Sequence, residues 1–222
     1  MHTHTKYSTS ALVCAAVLSF ALAARAEAVL VDFDTTPGGT PPADCSVART
    51  GGGGPVAWVI TDDPTAPSGG KVLAQTSADT TNDRFPLCIY EPLTAKDVEV
   101  AVQFKAVAGK VDQAAGLVAR FQDKDNYYIT RANALENNVR LYKVVKGTRK
   151  RFAGVNVPVS AGSWHTLKLA VQGARFQVFF NEQRVFEATD ETFTNPGKVG
   201  LWTKADSVTY FDNLSIRSHD TR

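Results

Sequence analysis

The sequence predicts an all-β protein built as two packed antiparallel sheets. Between residues 98 and 216, apolar and polar side chains alternate in short segments, which is the period of a strand with one buried face. Turn-forming residues separate these segments at intervals of roughly 8 to 12 residues, as in β-sandwiches. No window repeats apolar residues at helical spacing over three turns, so we expect no long helix. About a dozen strands in one chain favour a two-layer sandwich.

The alternation is clearest in the second half of the chain. Val98, Val100 and Val102 face one side of a predicted strand, with Glu99 between the first two. Segments rich in glycine and proline, at residues 36–42 and 51–55, are expected to be loops. No internal repeat and no long linker divides the chain. The predicted strands cover residues 29–33, 56–61, 71–75, 87–90, 98–105, 117–121, 127–133, 139–145, 167–171, 176–180, 185–186, 199–202 and 208–216.

Residues 1–26 have the composition of a secretory signal peptide. Lys6 precedes an apolar run at residues 11–24, and Ala24-Arg25-Ala26 supplies an A-x-A cleavage site, with residues 21–23 as an alternative. The run is shorter than the about 20 residues that a membrane-spanning helix needs. We therefore expect cleavage after Ala26 and export to the periplasm or the extracellular space. Residues 27–222 would then form a single domain with no membrane span.

The charge of this domain argues against nucleic acid as a partner. The full chain has 24 basic and 22 acidic residues. Removal of Lys6 and Arg25 leaves 22 of each, so the mature domain is formally neutral. A neutral domain exerts no overall attraction on polyanions, and a charged ligand would need a local patch.

Two cysteines, Cys45 and Cys88, remain after cleavage. An exported protein matures in an oxidising compartment, so we expect these two to form a disulfide, with two buried free thiols as the alternative. The bond would close a loop of about 44 residues and contribute roughly 4 kcal/mol to the free energy of unfolding.

Several motifs in the second half of the chain indicate a family. The segment GSWHTL at residues 162–167 resembles the strand start of laminin-G-like domains, and GKVGLW at 197–202 and FDNL at 211–214 follow in the same order. The segment GLVARF at residues 116–121, with NYY at 126–128, resembles a hairpin of bacterial concanavalin A-like jelly rolls. That group includes domains described as 3-keto-disaccharide hydrolases or as relatives of family 16 glycoside hydrolases.

The resemblance implies a concanavalin A-like jelly roll, a fold shared by lectins, carbohydrate-binding modules, adhesion domains and glycosidases. Many such carbohydrate-binding domains hold a structural calcium between an N-terminal acid and an acid of the last strand. Asp32, Asp34 and Asp212 resemble those positions, and their carboxylates are the oxygen ligands that calcium prefers. The alternative is that these acids cap turns by binding backbone N–H groups.

The sequence offers no catalytic residue that we would assign. A retaining glycosidase needs two carboxylates about 5 Å apart. The acids nearest to a predicted strand are Glu187, Asp190 and Glu191, but a strand sends the first two to opposite faces. We interpret this cluster as solvated loop acids, and whether the protein is an enzyme stays open.

Cationic and aromatic residues predict a ligand face. They lie opposite the expected core positions of their strands, and could converge on the outer, concave surface of one sheet if those strands are neighbours. Aromatic rings stack on sugar C–H faces, while guanidinium and amide groups bind hydroxyls or uronic carboxylates. A solvated sheet face is the alternative. The candidate ligand-binding residues are Arg120, Arg131, Asn133, Arg140, Tyr142, Trp202, Lys204 and Asp206.

Three functions follow as hypotheses. The first is an exported, non-catalytic module that binds a polysaccharide or other glycan on its concave sheet. The second, implied by the family resemblance alone, is a hydrolase or lyase of 3-keto-glycosides. The third is a structural or adhesion domain with a protein partner. An acid or histidine beside Arg120, Arg131 and Trp202 would favour an enzyme, because acid–base catalysis needs convergent titratable groups.

Overall fold

The structure, a computed structural model, describes residues 1–2 and 28–220 of the chain. The apolar run and the cleavage site of the predicted signal peptide lie outside the described residues. Within the described ranges the protein has fifteen strands and no helix, so no helix there could cross a membrane. The strands are β1 (Val29–Val31), β2 (Cys45–Thr50), β3 (Trp58–Asp62), β4 (Lys71–Gln75), β5 (Phe85–Ala95), β6 (Val98–Ala108), β7 (Ala114–Asp123), β8 (Asn126–Asn133), β9 (Asn138–Val145), β10 (Thr148–Asn156), β11 (Trp164–Gln172), β12 (Arg175–Phe180), β13 (Gln183–Thr189), β14 (Gly197–Trp202) and β15 (Val208–Ser218).

The strands form two antiparallel sheets, which confirms the predicted β-sandwich. Sheet A has the order β13-β12-β11-β6-β15-β4-β3, with β1 also paired to β15. Sheet B has the order β10-β9-β8-β7-β14-β5-β2. Two strands were not predicted, β2 and β10, and they are the two edges of sheet B.

The main core lies between the two sheets. Val102 and Phe104 of sheet A and Leu117 and Leu201 of sheet B are buried in one cluster. Successive side chains of a strand point to opposite faces, so the alternating residues of sheet B form a second buried cluster on its outer face. Both sheets therefore have an apolar inner face, and sheet B has an apolar outer face as well.

Sheet B is strongly curved. β10 and β5 are five positions apart in the strand order, which would separate them by about 24 Å in a flat sheet. Yet the guanidinium carbon of Arg149, on β10, lies 4.7 Å from the ring centre of Phe85, on β5. Two side chains could not bridge a flat sheet of that width, so the β10 edge bends over the outer face. We call the resulting surface the concave groove.

A disulfide joins Cys45 to Cys88, as predicted, with their Cα atoms 5.6 Å apart. Cys45 begins β2 and Cys88 lies in β5, its neighbour in sheet B. The bond therefore fixes the short edge strand β2 to the interior of the sheet.

Candidate functional site

The concave groove is the surface on which most of the predicted ligand residues meet. Strands β5, β7, β8, β9, β10 and β14 each contribute side chains that point away from sheet A. Its floor is apolar and aromatic: Phe85, Leu87, Val118, Tyr127, Ile129, Tyr142, Val144 and Trp202.

Trp202 lies in the groove but is not an exposed platform. Its side chain is fully buried, and its ring stacks on Phe85 with the ring centres 5.4 Å apart. A Cβ at Gly116, the residue opposite on β7, would lie 3.0 Å from Trp202 Cε3. The glycine thus makes room for the indole ring. The predicted face of Trp202 is right, but its prediction as an open sugar-stacking surface outside any core was wrong, because other side chains cover the ring.

Arg149 covers the aromatic floor and was missed at the level of sequence. Its guanidinium carbon lies 4.5 Å from the ring centre of Tyr142, 4.7 Å from that of Phe85 and 5.5 Å from that of Trp202. The residue is partly buried, and its Nη1 has no hydrogen-bond partner among residues 28–220. Burial lowers the pKa of this guanidinium. The side chain is a cation held by ring faces rather than by an acid.

A hydrogen-bonded network occupies one end of the groove, around Arg131. The Arg131 guanidinium donates to Asn138 Oδ1 at 2.8 Å, to Glu136 Oε2 at 2.7 Å and to the Tyr142 hydroxyl at 3.1 Å. Its Nε is buried and has no hydrogen-bond partner among the described residues. The Glu136 side chain is 50% exposed, so it is the part of the network that a ligand can reach.

Glu136 is the acid that sits beside Arg131. Burial alone would raise its pKa, but hydrogen bonds from Asn138 and Arg131 outweigh that effect and hold the pKa below its usual value. A carboxylate of this kind stays ionised at neutral pH. It can accept hydrogen bonds, but it is a poor proton donor for glycoside hydrolysis.

Lys204 and Asn133 join the same end of the groove. Lys204 Nζ donates to Asn82 Oδ1 and Asp112 Oδ2, each at 2.7 Å, and Asn133 Nδ2 donates to Asp112 Oδ1. Lys204 is therefore neutralised by Asp112. Four predicted residues, Arg131, Asn133, Tyr142 and Lys204, thus meet here. The first three lie on paired strands and have their predicted face, whereas Lys204 lies in the loop after β14.

Arg140 lies on the groove side of β9 but at its margin. It is the direct partner of Arg131 across β8 and β9, so the two side chains share a face. The side chain is partly buried, and Nη2 donates to Asn156 Oδ1 on β10.

Arg120 does not face the groove, so its predicted position was wrong. The pairing of β7 with β8 is irregular after Ala119, and Arg120 has a φ of 48°, so the alternation of faces breaks at this residue. Its guanidinium instead donates to the carbonyls of Lys96, Phe193 and Gly173 at 2.6–2.9 Å. Arg120 ties together loops at one end of the sandwich.

The prediction of Asp206 as a ligand residue is also corrected. Asp206 lies beyond the end of β14, in the loop before β15. Its buried carboxylate accepts hydrogen bonds from the backbone N–H groups of Lys110, Val111 and Asp112. It therefore holds that neighbouring loop in place.

Of the three predicted calcium ligands, Asp34 and Asp212 bind the same segment: Asp212 accepts from the backbone N–H of Ser68, and Asp34 from that of Lys71. Asp212 is buried, and its carboxylate accepts hydrogen bonds from the N–H and hydroxyl of Ser68. Burial raises the pKa of Asp212, and the charge of Asp34 raises it further. Asp32 instead accepts from the backbone of Asp34. No group of three acids, histidines or cysteines within residues 28–220 is placed to hold a metal, so calcium remains a prediction.

The acids near β13 do not converge as a catalytic pair. Asp190 accepts hydrogen bonds from the Tyr128 hydroxyl and from Lys143 Nζ, each at 2.6 Å. Glu187 instead pairs with Arg175, on the exposed edge of sheet A, at 2.7 Å.

A cavity of about 490 Å³ lies away from the groove, between β1 and β2. Its walls are mainly apolar, with Val31, Phe33, Leu214 and the Cys45–Cys88 bond among them. It lacks the combination of rings, cations and amides that the concave groove presents, so the groove is the better candidate site.

Comparison with known proteins supports a lectin-type domain. The family described as the galactocerebrosidase C-terminal lectin domain matches residues 55–219. A levanase from Bacillus subtilis is 28% identical over 108 residues, which are 47% of this chain and 15% of the levanase. The chain thus corresponds to a small part of that enzyme.

Two solved structures share the fold. The carbohydrate binding module CBM66 from Bacillus subtilis has 22% identity and a TM-score of 0.59, over 75% of this chain and 94% of the module. A Bacillus licheniformis β-glucanase has 12% identity and a TM-score of 0.57, over 87% of this chain and 98% of the glucanase. The predicted resemblance to concanavalin A-like lectins and glucanases is confirmed.

Proposed function

The chain belongs to the family of the galactocerebrosidase C-terminal lectin domain, and we propose that it is an exported module that binds glycan in its concave groove. The observation that carries the proposal is the network at the Glu136 end of the groove. There the guanidinium of Arg131 binds both the half-exposed carboxylate of Glu136 and the phenol of Tyr142.

This arrangement has the chemistry of a sugar site. Sugar hydroxyls both donate and accept hydrogen bonds, so they suit a carboxylate that accepts beside amide and guanidinium groups that donate. The groups are preorganised because Asn138 and Tyr142 also bind Arg131. Preorganised groups lose less entropy when a ligand binds. Relatives named as a carbohydrate binding module, a levanase and a glucanase support the same class of ligand.

Binding is favoured over catalysis by the state of Glu136. Its lowered pKa and its ion pair with Arg131 suit it as a hydrogen-bond acceptor, whereas a glycosidase acid needs a raised pKa. The second groove acid, Asp112, is bound to Lys204.

A glycan array with residues 27–222, followed by a binding isotherm for the best glycan, tests the proposal. Glu136→Ala removes the accessible acceptor, and we expect at least a tenfold loss of affinity, on the order of one charged hydrogen bond. The matched control is Glu187→Ala. Both glutamates are about half exposed and both pair with an arginine at 2.7 Å, but Glu187 lies on sheet A. Equal losses for the two variants, or no glycan bound, would overturn the proposal.

A further inference from the structure

Arg149 is a cation for which the described residues supply no anion. None of the ion pairs within residues 28–220 includes it. Its Nη1 atom is buried and has no hydrogen-bond partner in the described part of the chain, while the residue as a whole is partly exposed. Buried charges are normally paired, because removing them from water is costly. The missing partner of Arg149 therefore needs an explanation.

The other acids of the groove cannot serve as that partner. Glu136 is bound to Arg131 at 2.7 Å, and Asp112 is bound to Lys204 at 2.7 Å. These two pairs are neutral as units. The positive charge of Arg149 is therefore not neutralised by either acid. Arg140, at the margin of the groove, adds a second positive charge, and its Nη2 donates to the amide oxygen of Asn156 rather than to an acid.

We propose that the groove selects acidic sugars, and that Arg149 receives the carboxylate of a uronic acid. This inference rests on the proposed function and adds the class of glycan. The planar guanidinium can bind both oxygens of a carboxylate in parallel, a geometry that a neutral hydroxyl does not satisfy. The rings of Tyr142, Phe85 and Trp202 hold the guanidinium in place and exclude water from one side of it. An anion that reaches its open side meets a poorly hydrated cation, where electrostatic attraction is strong.

The test compares each acidic sugar with its own neutral ester. Trisaccharides of galacturonate, glucuronate and mannuronate are titrated beside their methyl esters, which keep every hydroxyl but lack the charge. We expect at least one acid to bind about tenfold or more tightly than its ester, as for a hydrogen bond between charged groups. That preference should shrink as salt rises.

Arg149→Met should abolish the preference for the acid, so that the acid and its ester bind to this variant with nearly equal affinity. Methionine keeps an apolar side chain over the rings. Lys150→Met is the matched control, because Lys150 is the next residue of β10, points to the opposite face and is exposed. A melting curve for each variant establishes that it is folded.

The outcomes separate this inference from the proposed function. Neutral glycans bound without any acid preference, or a preference that survives in Arg149→Met, would overturn the selectivity and leave glycan binding intact. Failure of every acidic and neutral glycan to bind would overturn both.

Discussion

Arg120 and Arg149 show how two regions of sheet B use the same side chain differently. Arg120, at one end of the sandwich, donates to three backbone carbonyls and also lies 5.9 Å from the Phe176 ring centre. Arg149, in the concave groove, lies against three rings and has a buried nitrogen with no hydrogen-bond partner in the part of the chain that the structure describes. The first cation has all its partners within the fold, and the second does not.

This contrast gives a criterion for separating structural cations from cations that are available to a ligand. Burial and aromatic neighbours are common to both arginines, so neither property identifies a site. Arg84 supports this, since it is fully buried and donates to the carbonyls of Gly54, Pro55 and Ala205. What distinguishes Arg149 is hydrogen-bonding capacity left over after folding.

The largest expected effect is on the free energy of unfolding when a side chain of the groove floor is removed. It tests whether the floor contributes to stability as a buried core does. Trp202→Ala should lower the free energy of unfolding by about 3–5 kcal/mol, because it removes a fully buried indole. Trp164→Ala, at a partly buried tryptophan on the outer face of sheet A, should cost much less. Urea denaturation of both variants measures the difference. A small loss for Trp202→Ala together with lost glycan binding would instead make Trp202 an accessible platform.

The second prediction compares the two arginines directly. Arg120→Met should cost about 3 kcal/mol, because three backbone carbonyls lose their donor. Arg149→Met should cost less than about 1 kcal/mol, because methionine keeps contact with the rings and no hydrogen bond is broken. Denaturation curves under the same conditions decide it. Equal losses would mean that Arg149 is as structural as Arg120.

Sequence alternation was enough to predict the interior strands but not the edges of sheet B. Interior strands such as β6 bury every second side chain, so their pattern is strong. β10 has the sequence TRKRFAGVN and buries no residue fully, because an edge strand can carry charge and glycine. Arg149 lies on this strand, so it was missed. In the sequence, Arg149 is only a basic residue shortly after Gly147. It could have been assigned to a face of a sheet only if residues 148–156 had been predicted as a strand.

The candidate site was predictable only where the strand register is regular. Arg131 and Tyr142 lie on regularly paired strands, and parity placed them on the right face. Arg120 follows an irregularity in β7, and Asp206 lies in a loop, so parity has no meaning for either. The curvature of sheet B could not be predicted either, because it depends on contacts between strands that are distant in the sheet.

The third prediction concerns pH at the Arg120 end of the sandwich. Burial alone would raise the pKa of Asp190, but hydrogen bonds from Lys143, Thr192 and Tyr128 lower it to about 2. A lowered folded-state pKa stabilises the protein above the unfolded value of 3.8, and that stability is lost as pH falls from there through 2. The loss should be about 2 kcal/mol. Asp190→Asn should flatten the stability profile between pH 4 and pH 2, and an unchanged profile would contradict the assignment.

The smallest expected effect concerns Asp34 and Asp212. Arg149 is a cation without an acidic partner, whereas these two residues are acids without a basic partner within residues 28–220. Here two carboxylates bind the backbone of the same segment, residues 68–71, and no ion pair within residues 28–220 includes either. We propose that they share a calcium ion, whose charge would relieve their mutual repulsion. Calcium at ten times its dissociation constant should stabilise the protein by about 1.4 kcal/mol, and a chelator should remove the gain. Asp34→Asn should abolish the calcium response, whereas Asp44→Asn, at an acid outside this pair, should retain it. A wild-type melting temperature that moves with neither calcium nor chelator would show that these carboxylates serve only to bind backbone N–H groups, such as that of Ser68.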